Sequence, residues 1–173
     1  MSPAARSAVV VGNPKPASRT LAAAVRAAEL LTGAAPDLVV DVTTLGPGLL
    51  GRGDEAVRAA VADVASADLA VVASPTYKAT YTGLLKLFLD QFAGGEGMRG
   101  VTAVPLMLGA GPAHALAADL LLKPVLVELG ATCPAPGLYL LDSEGAASPA
   151  LDAYAQRWGP VLRATAAHSR SAR

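Results

Sequence analysis

Five times along this chain a short apolar run gives way to a loop and then to a segment whose apolar residues recur at helical spacing. Strands that alternate with helices in this way predict a parallel sheet with helices on both faces. Ser7–Gly12, Asp37–Val42, Ala67–Ser74, Val101–Leu108 and Leu138–Asp142 read as the strands. Thr20–Leu31, Glu55–Ala65, Gly83–Ala93, Ala113–Leu129 and Pro149–His168 read as the helices. Thr43–Gly53, with four glycines and a proline, reads as an irregular connection. The usual order of a five-stranded doubly wound sheet is 2-1-3-4-5, and ligands bind at the carboxyl ends of the strands, beside the switch point between strands one and three. Nothing divides the 173 residues, so one domain is expected, with residues 1–6 and 169–173 disordered.

The loops at that end carry the chemistry. In the first, Asn13-Pro14-Lys15-Pro16-Ala17-Ser18-Arg19-Thr20, each proline disfavours helix in the residue before it. Helix therefore starts near Ser18, a plausible N-cap. The Ser18 and Thr20 hydroxyls, the cations Lys15 and Arg19 and the unpaired amides of a helix N-terminus suit phosphate oxygens. The same residues would equally make a capped surface turn with two solvated cations.

The third strand ends in Ser74-Pro75-Thr76-Tyr77-Lys78-Ala79-Thr80-Tyr81-Thr82-Gly83, a loop dense in aromatic and polar groups that suits a flat, polar-edged ligand. Gly109-Ala110-Gly111-Pro112-Ala113-His114, after the fourth strand, lets backbone approach a ligand closely. It lacks the third glycine and the acidic residue of a dinucleotide fingerprint.

Other chemistries are poorly supported. There is no Walker-type loop, and Ser74 stands where a receiver domain of this architecture needs an aspartate. His114, His168 and Cys133 form no metal-ligand pattern. Asp142 and Glu144 read as capping or solvated residues rather than an acid–base pair. Fourteen basic and fourteen acidic residues balance, which gives no electrostatic footprint for nucleic acid or an anionic membrane. The uncharged stretch Val101–Ala118 is interrupted by Pro105, Gly109, Gly111 and Pro112, so it reads as strand, turn and helix rather than a membrane span. One cysteine permits no internal disulfide and is compatible with a reducing compartment, the cytoplasm by default.

With these motifs in view, the chain resembles the NADPH-dependent FMN reductase family of flavodoxin-like proteins, and in particular the reductases of alkanesulfonate-type two-component monooxygenase systems. Gly12-Asn13-Pro14-Lys15 with Ser18-Arg19-Thr20 is similar to the family's G-S-x-R-x-x-S phosphate loop, with Asn13 in place of Ser and Lys15 in place of Arg. Pro75 to Gly83 is similar to its P-x-Y-x-x-x-Y-S-G loop, which lines the isoalloxazine ring. Gly109 to His114 is similar to its third ligand loop.

The resemblance implies a flavodoxin-like three-layer sandwich that binds FMN and NADPH or NADH and passes hydride from the nicotinamide to the flavin without a protein nucleophile. It implies FMN contacts from Asn13, Lys15, Ser18, Arg19, Thr20, Pro75, Thr76, Tyr77, Lys78, Tyr81, Gly109, Ala110, Gly111 and His114. It also implies a possible flavin-dependent monooxygenase partner. A quinone, azo or metal-oxyanion reductase and a flavodoxin-like electron carrier are the alternatives. A homodimer or homotetramer is expected too, because 53% of residues are hydrophobic and the third and fourth helices are apolar over more than one stripe within Leu84–Phe92 and Leu120–Leu129.

Overall fold

The computed structural model describes residues 5–171. Its strands β1 (Ser7–Val11), β2 (Leu38–Asp41), β3 (Leu69–Pro75), β4 (Thr102–Gly109) and β5 (Leu138–Leu141) pair in parallel in the order β2-β1-β3-β4-β5. That is the expected order. Helices α1 (Arg19–Thr32), α2 (Glu55–Ala65), α3 (Gly83–Leu89), α4 (Lys123–Glu128) and α5 (Pro149–Ser171) cover the sheet on both faces.

The strand period of two decides which core each side chain joins. Val9, Val11, Val71, Ala73, Leu106 and Leu140 point to the face covered by α1 and α5. Ala8, Val10, Ala70, Val72, Ala103 and Met107 point to the face covered by α2, α3 and α4. β1, β3 and β4 are buried along their whole length, as parallel strands covered on both faces must be. α1 meets the sheet through Ala23, Ala24, Ala27 and Ala28, whose small size lets the helix lie close. Ser18 caps α1 by accepting from the Leu21 N–H, and the Gly33 amide closes it on the Glu29 carbonyl.

Several boundaries differ from the sequence reading. β2 stops at Asp41 because its carboxylate accepts from the Thr43 N–H and starts a 3-10 segment, Val42–Leu50, kinked at Gly46, within the expected irregular connection. α3 stops at Leu89, after which Gln91 and Phe92 bond three residues back, to the carbonyls of Phe88 and Leu89. The single helix expected over Ala113–Leu129 is broken into a 3-10 turn (Pro112–His114), a π turn (Ala118–Leu122) and α4. Pro124 explains the break. Its ring removes the amide that would bond the Leu120 carbonyl, and the wide turn before it shifts the ladder so that the Lys123 N–H reaches Ala118.

α5 continues to Ser171, so Ser169 to Ser171 are helical rather than disordered. Arg6 is also anchored, through its N–H to Asp68 at 2.8 Å and its guanidinium to Asp63 at 3.4 Å. The rest of the expected disorder, residues 1–4 and 172–173, lies outside the described residues.

Most of the apolar breadth of α3 is absorbed within the subunit, although Leu87 stays exposed. Leu85, Phe88, Leu89 and Phe92 are all buried, because the helix is covered by the Val42–Leu50 segment on the side away from the sheet. The Phe88 and Phe92 rings meet edge to face at 5.4 Å. Leu126 of α4 is fully buried too. The broken fourth segment carries an exposed apolar strip, with Leu116 63%, Leu120 65% and Val127 52% exposed, while Leu87 of α3 and Leu50 of the 3-10 segment are exposed as well. Among the described residues, no helix is long and apolar enough to cross a membrane.

Candidate functional site

The three loops meet above the carboxyl ends of β1, β3 and β4 and enclose a pocket of about 350 Å³. Its wall holds Asn13, Lys15, Ala17, Ser18 and Arg19 from the first loop, Pro75, Thr76 and Tyr77 from the second, and Gly109 and Ala110 from the third, with Leu108 and Asp142.

The first loop is shaped by Asn13. Its side-chain carbonyl accepts from the Lys15 N–H at 3.0 Å and its amide donates to the Thr20 hydroxyl at 2.9 Å. Thr20 is thereby buried beneath the loop, away from the pocket wall. Ala17 has a φ of 49°, and this left-handed step turns the chain into the Ser18 cap.

A chain of hydroxyls ties the second loop to the first. Ser74, fully buried, donates to the Pro75 carbonyl and accepts from the Thr82 N–H. Thr82 caps α3 by accepting from the Leu85 N–H and donates its own hydroxyl proton to the Gly12 carbonyl. Gly12 is the contact point, since a Cβ there would lie 2.2 Å from the Leu85 Cβ.

Between these anchors Tyr77 and Thr80 close a two-residue hairpin with both backbone bonds made, at 2.8 and 3.1 Å. Its central residues, Lys78 and Ala79, both have positive φ, 51° and 70°. Type I′ turns require this and normally use Gly or Asn for it. Two non-glycine residues in the left-handed region therefore store strain, on the order of 1–2 kcal/mol each. Ala79→Gly is expected to raise stability by about 0.5–1 kcal/mol, the strain relief less glycine's greater unfolded-state entropy. A higher urea midpoint at unchanged slope checks it.

The third loop is held by Tyr139, whose hydroxyl donates to the Gly111 carbonyl at 2.7 Å. Gly109 has to lack a side chain, because a Cβ there would lie 1.8 Å from that hydroxyl oxygen. The same Cβ would come within 3.3 Å of the Thr76 Oγ1, a buried atom with no hydrogen-bond partner among the described residues. A solvent-shielded hydroxyl without a partner on a pocket wall suits a ligand with polar edges.

Asp142 neither caps a helix nor stands alone: its carboxylate lies 2.6 Å from the Arg19 guanidinium. Glu144 accepts from the Ser148 hydroxyl at 2.6 Å. Lys78, Tyr81, Gly111 and His114 lie outside this pocket wall. Tyr81 packs against the core, while His114 and Ala79 line an adjoining apolar groove of about 440 Å³ with Leu116, Leu120 and Leu121. Sequence reasoning missed Ala17, Leu108 and Tyr139. It also missed the bridging roles of Ser74 and Thr82, although Thr82 before a helical run carries an N-cap signal. Among the described residues no group of His, Cys, Asp and Glu could hold a metal ion. Burial pushes the Cys133 thiol up to about 11, opposed by the nearby Lys123, so it is protonated near neutral pH.

A five-stranded 2-1-3-4-5 sheet whose loops converge at the β1–β3 switch point defines a flavodoxin-like fold. Residues 5–145 match the profile of the NADPH-dependent FMN reductase family, and the chain belongs to that family. An FMN reductase (NADPH) of Escherichia coli (strain K12) is 42% identical over 78 residues, 45% of this chain and 40% of that protein. The NADH-dependent FMN reductase SfnF of Pseudomonas putida is 38% identical over 76 residues, 44% of this chain and 40% of that protein. The chain thus spans less than half the length of these curated relatives. Among solved structures, the apo form of the NADH:FMN oxidoreductase EMOB superposes with a TM-score of 0.82 at 30% identity, covering 93% of this chain and 89% of that one. A flavodoxin from the domain Archaea, at 15% identity and a TM-score of 0.58, shares the fold alone.

Proposed function

We propose that this protein is an NAD(P)H-dependent FMN reductase that supplies reduced flavin to a partner monooxygenase. The observation that carries the reading is the pocket itself. One end is lined by Lys15, Ser18, Arg19 and the start of α1, the other by Tyr77, the orphaned Thr76 hydroxyl and the side-chain-free backbone at Gly109. The first end has the charge and donors for a phosphate, and the second has the flat, polar-edged character of a flavin ring site. FMN, when bound, would supply the two-electron acceptor for hydride from NADPH or NADH.

The protein's share is positioning. Lys15, Ser18 and Arg19 bind the phosphate, while Asn13 and Thr20 hold the loop that presents them. Pro75, Thr76, Gly109 and Ala110 offer backbone and hydroxyl contacts to the ring edge, and Tyr77, half exposed, packs beside it. Lys78, at the tip of the strained hairpin and outside the pocket wall, is the cation that would steady negative charge on reduced flavin, with Tyr81, Gly111 and His114 supporting the neighbouring loops. Holding two rings parallel and close can supply most of the acceleration such a transfer needs, without a protein nucleophile. The neutral net charge fits this better than an acidic electron carrier. Cytoplasmic placement is supported by the single thiol, Cys133.

Steady-state oxidation of NADPH with and without added FMN tests the function. Turnover that rises with FMN supports the reductase, and no NADPH or NADH oxidation under either condition contradicts it.

The exposed strip at Leu116, Leu120 and Val127 supports assembly as a homodimer or homotetramer through the fourth segment rather than through α3. Light scattering is expected to give a multiple of the 17.3 kDa chain mass, and Leu120→Glu to shift it toward the monomer. A monomer mass for the unaltered protein at micromolar concentration would sink this.

A further inference from the structure

We propose that Asp142 is a built-in counter-anion of the phosphate cradle, competing with the ligand's phosphate for Arg19 and so holding affinity for phosphorylated flavin below what the cradle's cations alone would give. The proposal rests on the reading of the first loop as a phosphate site. It starts from a mismatch. Arg19 is the first residue of α1, where the helix dipole disfavours a cation, and the first turn contains no acidic residue to balance it.

The missing anion comes from the other end of the chain. Asp142 follows β5, and its own N–H is bonded to the Gly109 carbonyl at 2.9 Å, so the third ligand loop fixes its backbone. From there its carboxylate reaches Nη2 of Arg19 at 2.6 Å. Both side chains line the same pocket as Lys15 and Ser18, and Arg19 directly follows the Ser18 cap, so the pair stands at the cation-lined end rather than on a distant surface.

Charge and exposure give the consequence. Two cations and one carboxylate line the wall, one net positive charge against the ~1.5–2 negative charges of a phosphate monoester near neutral pH. Removing the carboxylate would double the net positive charge and free the guanidinium. The pair is also exchangeable, because the Arg19 and Asp142 side chains are 68% and 36% exposed. Exposed ion pairs are individually weak, whereas a phosphate offers several charge-assisted bonds. Phosphate therefore displaces the carboxylate, but less tightly than it would bind an unopposed cradle. Such tempering suits a protein that must release its flavin.

The test is fluorescence titration of the full chain and its Asp142→Asn variant with FMN and with riboflavin, which lacks the phosphate. Asp142→Asn is expected to bind FMN about tenfold more tightly and riboflavin within about twofold of the original, with the FMN gain falling to about twofold when Arg19→Gln is added. FMN binding that is unchanged or weaker in Asp142→Asn overturns the proposal. So does an equal loss of both ligands in Asp142→Asn and Asp142→Ser, which would make the carboxylate a loop support. If the unaltered protein does not prefer FMN to riboflavin, the phosphate reading falls and this proposal with it. If it does prefer FMN and the variants do not change that preference, only this proposal falls.

Discussion

Gly12→Ala is expected to cost the protein more than about 3 kcal/mol of stability, by a route that also dismantles the ligand loops. The added Cβ would lie 2.2, 2.6 and 2.9 Å from the Cβ, Cα and N of Leu85, so it meets helix backbone rather than a side chain that can swing away. α3 would have to retreat from β1. In doing so it would break the Thr82 hydroxyl's bond to the Gly12 carbonyl and pull the second loop from the first. Total stabilities of about 5–15 kcal/mol leave little room for such a loss. Gly94→Ala is the control, since a Cβ there meets nothing within 4 Å. Urea unfolding should show a large drop in midpoint for Gly12→Ala and almost none for Gly94→Ala, and equal midpoints would mean that α3 does not seat as described.

The second large effect concerns charge. Replacing Lys15 and Arg19 together with Gln is expected to weaken FMN binding by roughly a hundredfold while leaving riboflavin nearly unaffected. Each charge-assisted hydrogen bond to phosphate is worth about 1.5–3 kcal/mol, and the lower figure is used because Arg19 must first leave Asp142. Leaving Ser18 in place keeps the α1 cap intact, since its hydroxyl accepts from the Leu21 N–H. An equal loss for both flavins would indicate a damaged fold rather than a lost phosphate contact.

The local signals in the chain proved reliable where the chemistry is local. Alternating apolar runs and helical periods marked all five units, and Pro14, Pro16 and Ser18 marked the start of α1 within a residue. What the sequence could not reveal depends on partners remote along the chain. Asp142 and Gly109 are neighbours only because β4 and β5 pair in parallel, and Arg19 meets Asp142 only because α1 returns over the same end of the sheet. Tyr139 carries no local signal of its role, since an alternating strand residue becomes a loop support only when Gly111 lies above it. The width of the apolar face on α3 predicts cover beyond the sheet, and much of that cover is the Val42–Leu50 segment of the same chain, with Leu87 left exposed. Pro124 announced a disturbance in the fourth helix, while the π turn that accommodates it depends on how the segment packs.

The central claim is that this chain takes hydride from a reduced nicotinamide and delivers it to FMN. Mixing the protein with oxidised FMN and excess NADPH or NADH in the absence of oxygen tests it most directly, read as loss of the visible absorbance of oxidised flavin. The account predicts rapid, complete bleaching that depends on the protein and is slowed strongly by Lys15→Gln with Arg19→Gln at limiting FMN. Bleaching no faster than without the protein, with both nicotinamides, would contradict it.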